Sequence, residues 1–205
     1  MRVVIVTMDS HLAGPAARAR EALEAEIPGL SLSLHAAAEW AEDPAALSAA
    51  EADIATGDIV VANMLFLDEH VRAIRRALEA RRPHCDAMVG CVAATDVVRL
   101  TRLGELDMTK PATGPMALLK RLRGKKQGSG SSGAGQMKML RRLPKILRFI
   151  PGKAQDLRAY FLTMQYWLAG SDENVTNMVR VLVDRYATGP RAGARGRLPV
   201  AAPVD

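Results

Sequence analysis

The chain has 205 residues, 49% of them apolar and only 4% aromatic, with a formal charge of +6. That length suits one domain, or one domain with a helical extension, whose core is built on Ala, Leu and Val with Met as filler. No apolar run is long enough to span a bilayer, and MRVVIVTMDS is too short in apolar residues for a secretory signal, so a cytoplasmic location is expected.

The charge is unevenly spread. No acidic residue lies between Asp107 and Asp156, a stretch that holds twelve lysines and arginines. The rest of the chain is therefore net negative, an acidic-to-neutral body with one strongly basic segment attached. Cys85 and Cys91 are the only cysteines. They form no C-x-x-C pair, and reduced core thiols are expected.

Arg2 to Met8 is a β-branched run that reads as a buried parallel strand. Gly14-Pro15 opens a helix to about Glu26. Leu30 to Leu34 alternates and reads as a second strand, half exposed or at an edge. Asp43-Pro44 starts an alanine-rich helix, with proline where its missing N–H costs least. Gly57-Asp58 breaks it. Ile59 to Phe66 is the third strand. Asp68 is placed as the cap of a helix that ends at Pro83. Ala87 to Ala93 is the fourth strand, and Thr95-Asp96 caps a helix through about Leu103.

Strands alternating with helices predict an α/β fold: a flavodoxin/Rossmann-like four-stranded parallel sheet, order 2-1-3-4, with a C-terminal helical extension. Residues 1–107 form the sheet domain. Residues 108–135 hold a short basic helix (Pro115 to Arg123) and the low-complexity stretch GKKQGSGSSGAG, expected to be mobile. Residues 136–187 are the helical extension. Residues 188–205 have no periodicity and read as a linker to a further domain.

Within the extension, Leu157, Phe161, Met164 and Leu168 fall on one helical stripe, with Gln155, Arg158 and Gln165 opposite. Gly170 stops that helix and Ser171 caps the next, with Asp172 and Glu173 in its first turn. Val175, Met178, Val179, Leu182 and Tyr186 line the buried side of this second helix, and Asn177, Arg180 and Asp184 its wet side. These stripes are wide for a lone domain, so an exposed apolar patch is expected over 154–187.

The stretch LPKILRFIPGKAQDLRAYFLTMQYWLAGSDENVTNMVRVLVDRYA resembles the large, porphyrin-binding H subunit of magnesium chelatase. So do VVIVTMDSH, DIVVANMLFLDEHV and ELDMTKPATGP. The resemblance covers essentially the whole chain. It implies an N-terminal head domain of a subunit several times longer, related to the large subunit of cobaltochelatase. Magnesium chelatase inserts magnesium into protoporphyrin IX in chlorophyll and bacteriochlorophyll synthesis. The implied partners are the remainder of the H subunit, two ATPase-type subunits and protoporphyrin IX. Magnesium and ATP serve the whole complex, and no cofactor is assigned to this chain alone.

In open parallel sheets, ligands bind beyond the carboxyl ends of the strands. That rim is predicted from Asp9, Ser10, His11, Asn63, Met64, Thr95 and Asp96. The plainer reading has Asp9, Ser10 and Asp96 capping helices and Asn63 satisfying loop backbone. The loop TMDSHLAG lacks G-x-G-x-x-G, and Gly124-Lys125 is no phosphate loop. His11, His35, His70 and His84 make no metal-ligand pair on one helix face, and no catalytic residue is assigned.

From Met137 to Ile150, Leu140, Leu143, Leu147 and Ile150 share one side, and Lys138, Arg141, Arg142, Lys145 and Arg148 form a basic surface. Pro144 must kink this helix or begin another. The basic face reads as solvated, as a contact with anionic membrane, or as a guide for porphyrin propionates or an acidic partner. Nucleic acid is disfavoured, because no aromatics interleave with the basic residues. Two other functions stay open: a flavodoxin-like small-ligand or regulatory module, and a membrane-surface or scaffold module.

Overall fold

A computed structural model describes residues 1–111 and 143–204. The expected basic helix 115–123, the Gly/Ser stretch, Leu140, and Lys138, Arg141 and Arg142 lie outside the described residues. The elements are β1 (Arg2–Thr7), α1 (Ala13–Glu26), β2 (Ser31–Ala36), α2 (Pro44–Thr56), β3 (Ile59–Asn63) and α3 (Asp68–Arg81). They continue with β4 (Ala87–Cys91), α4 (Thr95–Arg99), β5 (Arg102–Leu103), β6 (Leu106–Asp107), α5 (Lys153–Ala169) and α6 (Asp172–Tyr186).

The sheet runs β2-β1-β3-β4-β5-β6. Its first four strands are parallel in the order expected, with β2 at the edge. The expectation of four strands is corrected to six, because an antiparallel β5–β6 hairpin extends the sheet beyond β4. The helix expected through Leu103 ends instead at Arg99. Thr101 explains the change: its hydroxyl accepts from Gly90 N at 2.9 Å and donates to Gly90 O at 3.1 Å, pinning the chain to β4.

Side chains alternate across each strand, so two cores form. Val3, Ile5, Val61 and Val89 face a core shared with α1, α5 and α6. Val4, Val6, Val60 and Met88 face a core shared with α2, α3 and α4. Gly90 lets α4 approach the second face, since a Cβ there would lie 2.2 Å from Val97 O.

Asp43 caps α2 by accepting from Ala45 N, with Pro44 in the first turn. Two other cap assignments are corrected. Leu67 and Ala94 hold the N-cap positions of α3 and α4 without a side-chain cap, and Asp68, Thr95 and Asp96 sit one or two places further in. Gly170 ends α5 in the left-handed conformation, φ 71°, and Ser171 Oγ then caps α6 by accepting from Asn174 N.

The expected exposed patch over 154–187 is not found. Leu168, predicted to face the core, is the single large apolar residue there that is exposed, because Trp167 beside it takes the buried position. The sheet, α1 and the tail cover the rest. Asn177, expected to be wet, is buried: its Nδ2 donates to Glu173 O and its Oδ1 accepts from Ala201 N. Asn174 holds Val204 through both backbone groups. Arg180 and Asp184 are half-buried, bonded to Glu26 and to Gly196 N. Residues 189–204 thus run back along α6, and Thr188 and Arg191 grip Asp86 at the amino end of β4.

Asp156 joins three elements. Its carboxylate accepts from Glu105 N in the β5–β6 turn and from Tyr186 Oη on α6, both at 2.9 Å.

Candidate functional site at the carboxyl ends of the strands

β1 after Arg2, and β3 and β4 throughout, are apolar until their last residues, which are Thr7, Asn63 and Cys91. Asn63 pairs in register with Cys91, and the Val6–Ala62 pair brings Thr7 level with Asn63. All three are fully buried on the α1/α5/α6 face. Cys91 Sγ donates to Asn63 Oδ1 at 2.7 Å. Asn63 Nδ2 and Thr7 Oγ1 are buried without a partner. The expectation that Asn63 satisfies loop backbone is therefore corrected.

The strands stop short of Phe66 and Ala93, where the sequence placed their ends. Met64 at φ 57° and Val92 at φ 48° explain this, since left-handed backbone cannot continue a strand. Met64 N still donates to Val92 O at 2.9 Å, so both turns are held together. A β-branched residue in this conformation stores strain, and such strain concentrates at functional sites.

The other sheet face repeats the pattern. Trp40 Nε1 and His70 Nδ1 are buried without partners, beyond the carboxyl ends of β2 and β3. Their rings meet edge-on, 6.0 Å apart. Of the six buried side-chain polar atoms without partners among the described residues, four lie at this one end of the sheet. Unsatisfied buried groups are costly, so their clustering marks the rim more firmly than any one residue does.

The structure brings only some of the predicted rim residues together. Asp9 and His11 pair with each other, and hydrogen bonds from the His11 side chain and backbone hold the Asp9 carboxyl below its usual range. Ser10 is exposed, and its carbonyl accepts from Ala13 N. The expectation that Asp9, Ser10 and Asp96 cap helices is corrected: Leu12 holds the N-cap of α1 with no side-chain cap. His11 rests edge-on against Trp167 of α5, 5.9 Å away. Thr95 and Asp96 stand apart on the surface, with Asp96 bound to Arg75.

Thr7, Cys91, Trp40 and His70 are the rim residues that sequence reasoning missed. The available signal was a polar residue closing an apolar strand at the same register in neighbouring strands. Chemically the cluster offers hydrogen bonds from a hydroxyl, an amide and a thiol. Burial pushes the Cys91 thiol up to about 12, so it stays protonated at neutral pH. Burial also raises the Tyr160 phenol, beside it on α5. Among the described residues no three His, Cys, Asp or Glu side chains come together to hold a metal ion. No described helix is long and apolar enough to cross a membrane.

The basic surface is described in part. Residues 143–147 are helical and include Pro144. Lys145 and Arg148 are exposed. Leu147 is buried, but Ile150, expected beside it, is exposed, as are Ile146 and Phe149. The helix has already ended at Ile150, and Gln155 Nε2 donates to the carbonyls of Leu147 and Ile150 to hold the turn.

A family described as a domain of unknown function, DUF3479, matches residues 2–161. The chain belongs to the DUF3479 family. The match takes in every described strand, α1 to α4, and α5 as far as Phe161. This DUF3479 chain is 55% identical over 99% of its length to the magnesium-chelatase H subunit of Cereibacter sphaeroides. It is 57% identical over 99% of its length to the magnesium-chelatase H subunit of Rhodobacter capsulatus. Against the chloroplastic magnesium-chelatase ChlH subunit of Oryza sativa subsp. indica it is 31% identical over 66% of its length. The chain spans 17% of the two bacterial relatives and 10% of the rice one.

Proposed function

We propose that this chain is the head domain of the porphyrin-binding subunit of a cytoplasmic magnesium chelatase. The carrying observation is 55–57% identity across 99% of the chain to two bacterial H subunits. In this reading the whole subunit presents protoporphyrin IX for magnesium insertion in bacteriochlorophyll or chlorophyll synthesis. Two ATPase-type partner subunits supply the ATP hydrolysis. The head contributes no catalytic group of its own. Its carboxyl rim, closed on one face by α5, positions and gates the rest of the subunit.

The test is a reconstituted magnesium-insertion assay with full-length subunit, partner subunits, magnesium and ATP. Removing the head, or changing both Thr7→Val and Asn63→Leu, is expected to slow insertion while the remaining subunit still binds porphyrin. Full activity without the head overturns the gating role.

A peripheral membrane contact is the second reading. Phe149 is 83% exposed and Ile146 60%, beside Lys145 and Arg148, a pairing of apolar and basic groups that suits an anionic lipid surface. Flotation with phosphatidylglycerol vesicles tests it, and binding that survives Phe149→Ser with Arg148→Glu contradicts it.

A further inference from the structure

A groove of about 710 Å³ is lined by α5, α6, residues 144–149 and the tail. That volume is typical of sites for small organic ligands. Its walls are apolar: Leu162 and Val181 from the two helices, Pro144 and Phe149 from one flank, Val200 and Pro203 from the returning tail. Tyr166 Oη donates to Ala201 O and so fixes the tail as a wall.

Four cations line the same groove: Lys145, Arg148, Arg158 and Arg185. None of them forms an ion pair among the described residues. Arg158 gives its Nε to Pro144 O at 3.1 Å, which leaves its two terminal nitrogens for other partners. Arg185 Nε is buried with no partner. The one acidic residue in the lining, Asp184, already accepts from Gly196 N at 2.5 Å. Burial, and then the charges of Arg185 and Arg148, pull the Arg158 pKa down. An anion placed here would relieve that crowding.

We propose that this groove binds a soluble amphipathic carboxylate, its apolar body on the Leu162, Val181 and Val200 walls and its carboxylate between Arg158 and Arg185. The planar guanidinium fork matches a carboxylate in two-point contact. Lys145 and Arg148 stand exposed at the mouth and draw the anion in. This inference is independent of the chelatase reading, and either can fail without the other.

The test is calorimetric titration of the 205-residue chain with decanoate, decanol and decyltrimethylammonium. Decanoate is expected to saturate one site. Decanol should bind about tenfold more weakly or worse, because it cannot complete the charged hydrogen bonds. Each methylene removed from decanoate should weaken binding about fourfold. Arg185→Gln should weaken decanoate about tenfold and leave decanol unchanged. If Arg158→Gln proves unfolded by circular dichroism, Lys145→Gln with Arg148→Gln, both on exposed residues, should still slow association. Methyl NMR shifts at Leu162 and Val181 should locate the ligand. Equal binding of decanoate and decanol, or no loss in Arg185→Gln, overturns the proposal. So does binding to phosphatidylglycerol vesicles with none to monomeric decanoate.

Discussion

The two faces of the sheet are covered by different means. The face under α2, α3 and α4 is closed by helices that lie between or directly after the strands they cover. Its contacts are almost wholly apolar, and Gly90 sets how close α4 comes. The opposite face is closed by α1 together with α5 and α6, which join the sheet from across the basic segment. Among the described residues, five of the eight buried polar ones belong to α5 or α6: Asp156, Thr163, Asn174, Thr176 and Asn177. Apolar burial is non-directional, so a layer arriving from far along the chain needs directional bonds to fix where it lands. Asp156 supplies them to β5–β6 and α6, and Asn174 and Asn177 supply them to the tail.

The largest expected effect comes from Trp167→Ala. Trp167 is 2% exposed on the α1/α5/α6 side, and its removal should cost about 4 kcal/mol in urea unfolding. On the other face, Gly90→Ala should cost about 3 kcal/mol, because the new methyl meets backbone that cannot move aside. Asp156→Ala should cost about 2 kcal/mol by leaving the buried Tyr186 hydroxyl and Glu105 N without an acceptor. Hydrogen exchange should then rise in β5–β6 and the end of α6 before it rises in β1.

The smallest effect is in pH. Burial opposes ionisation of Asp107, but hydrogen bonds from Thr109 and the nearby Arg82 outweigh it, and its pKa is lowered. Asp53 behaves alike: burial opposes ionisation, and the hydrogen bond from His35 and the charge of Arg2 outweigh it. A lowered folded pKa gives stability that is present above the unfolded value near 3.9 and is lost as pH falls through the folded one. Denaturation midpoints should therefore drop below about pH 4. Asp107→Asn should flatten that drop.

The parallel order of four strands was legible because β1, β3 and β4 carry apolar runs, β2 alternates, and helical segments separate them. The Gly170–Ser171 junction and the Asp43–Pro44 start were legible because capping chemistry is local. The β5–β6 hairpin was not, because Thr101 holds Gly90 across a turn that no periodicity marks. Asn177 read as wet because its partner, Ala201, lies 24 positions away in a tail with no pattern. The rim was expected from the general rule for parallel sheets. Its buried members were missed because Thr7 and Cys91 look like ordinary core residues until their register is known.

Trp40 lies in the α2/α3 core and Trp167 in the α1/α5/α6 core, so each face carries its own fluorophore. The deciding measurement is urea unfolding of Trp40→Phe and Trp167→Phe, each followed by the remaining tryptophan and by circular dichroism. If α5, α6 and the tail are keyed into one unit with the sheet, fluorescence and dichroism will coincide at one midpoint within each variant. A Trp167 signal that melts well before the dichroism would mean that the helical layer is a separate, weaker body, and would contradict this account.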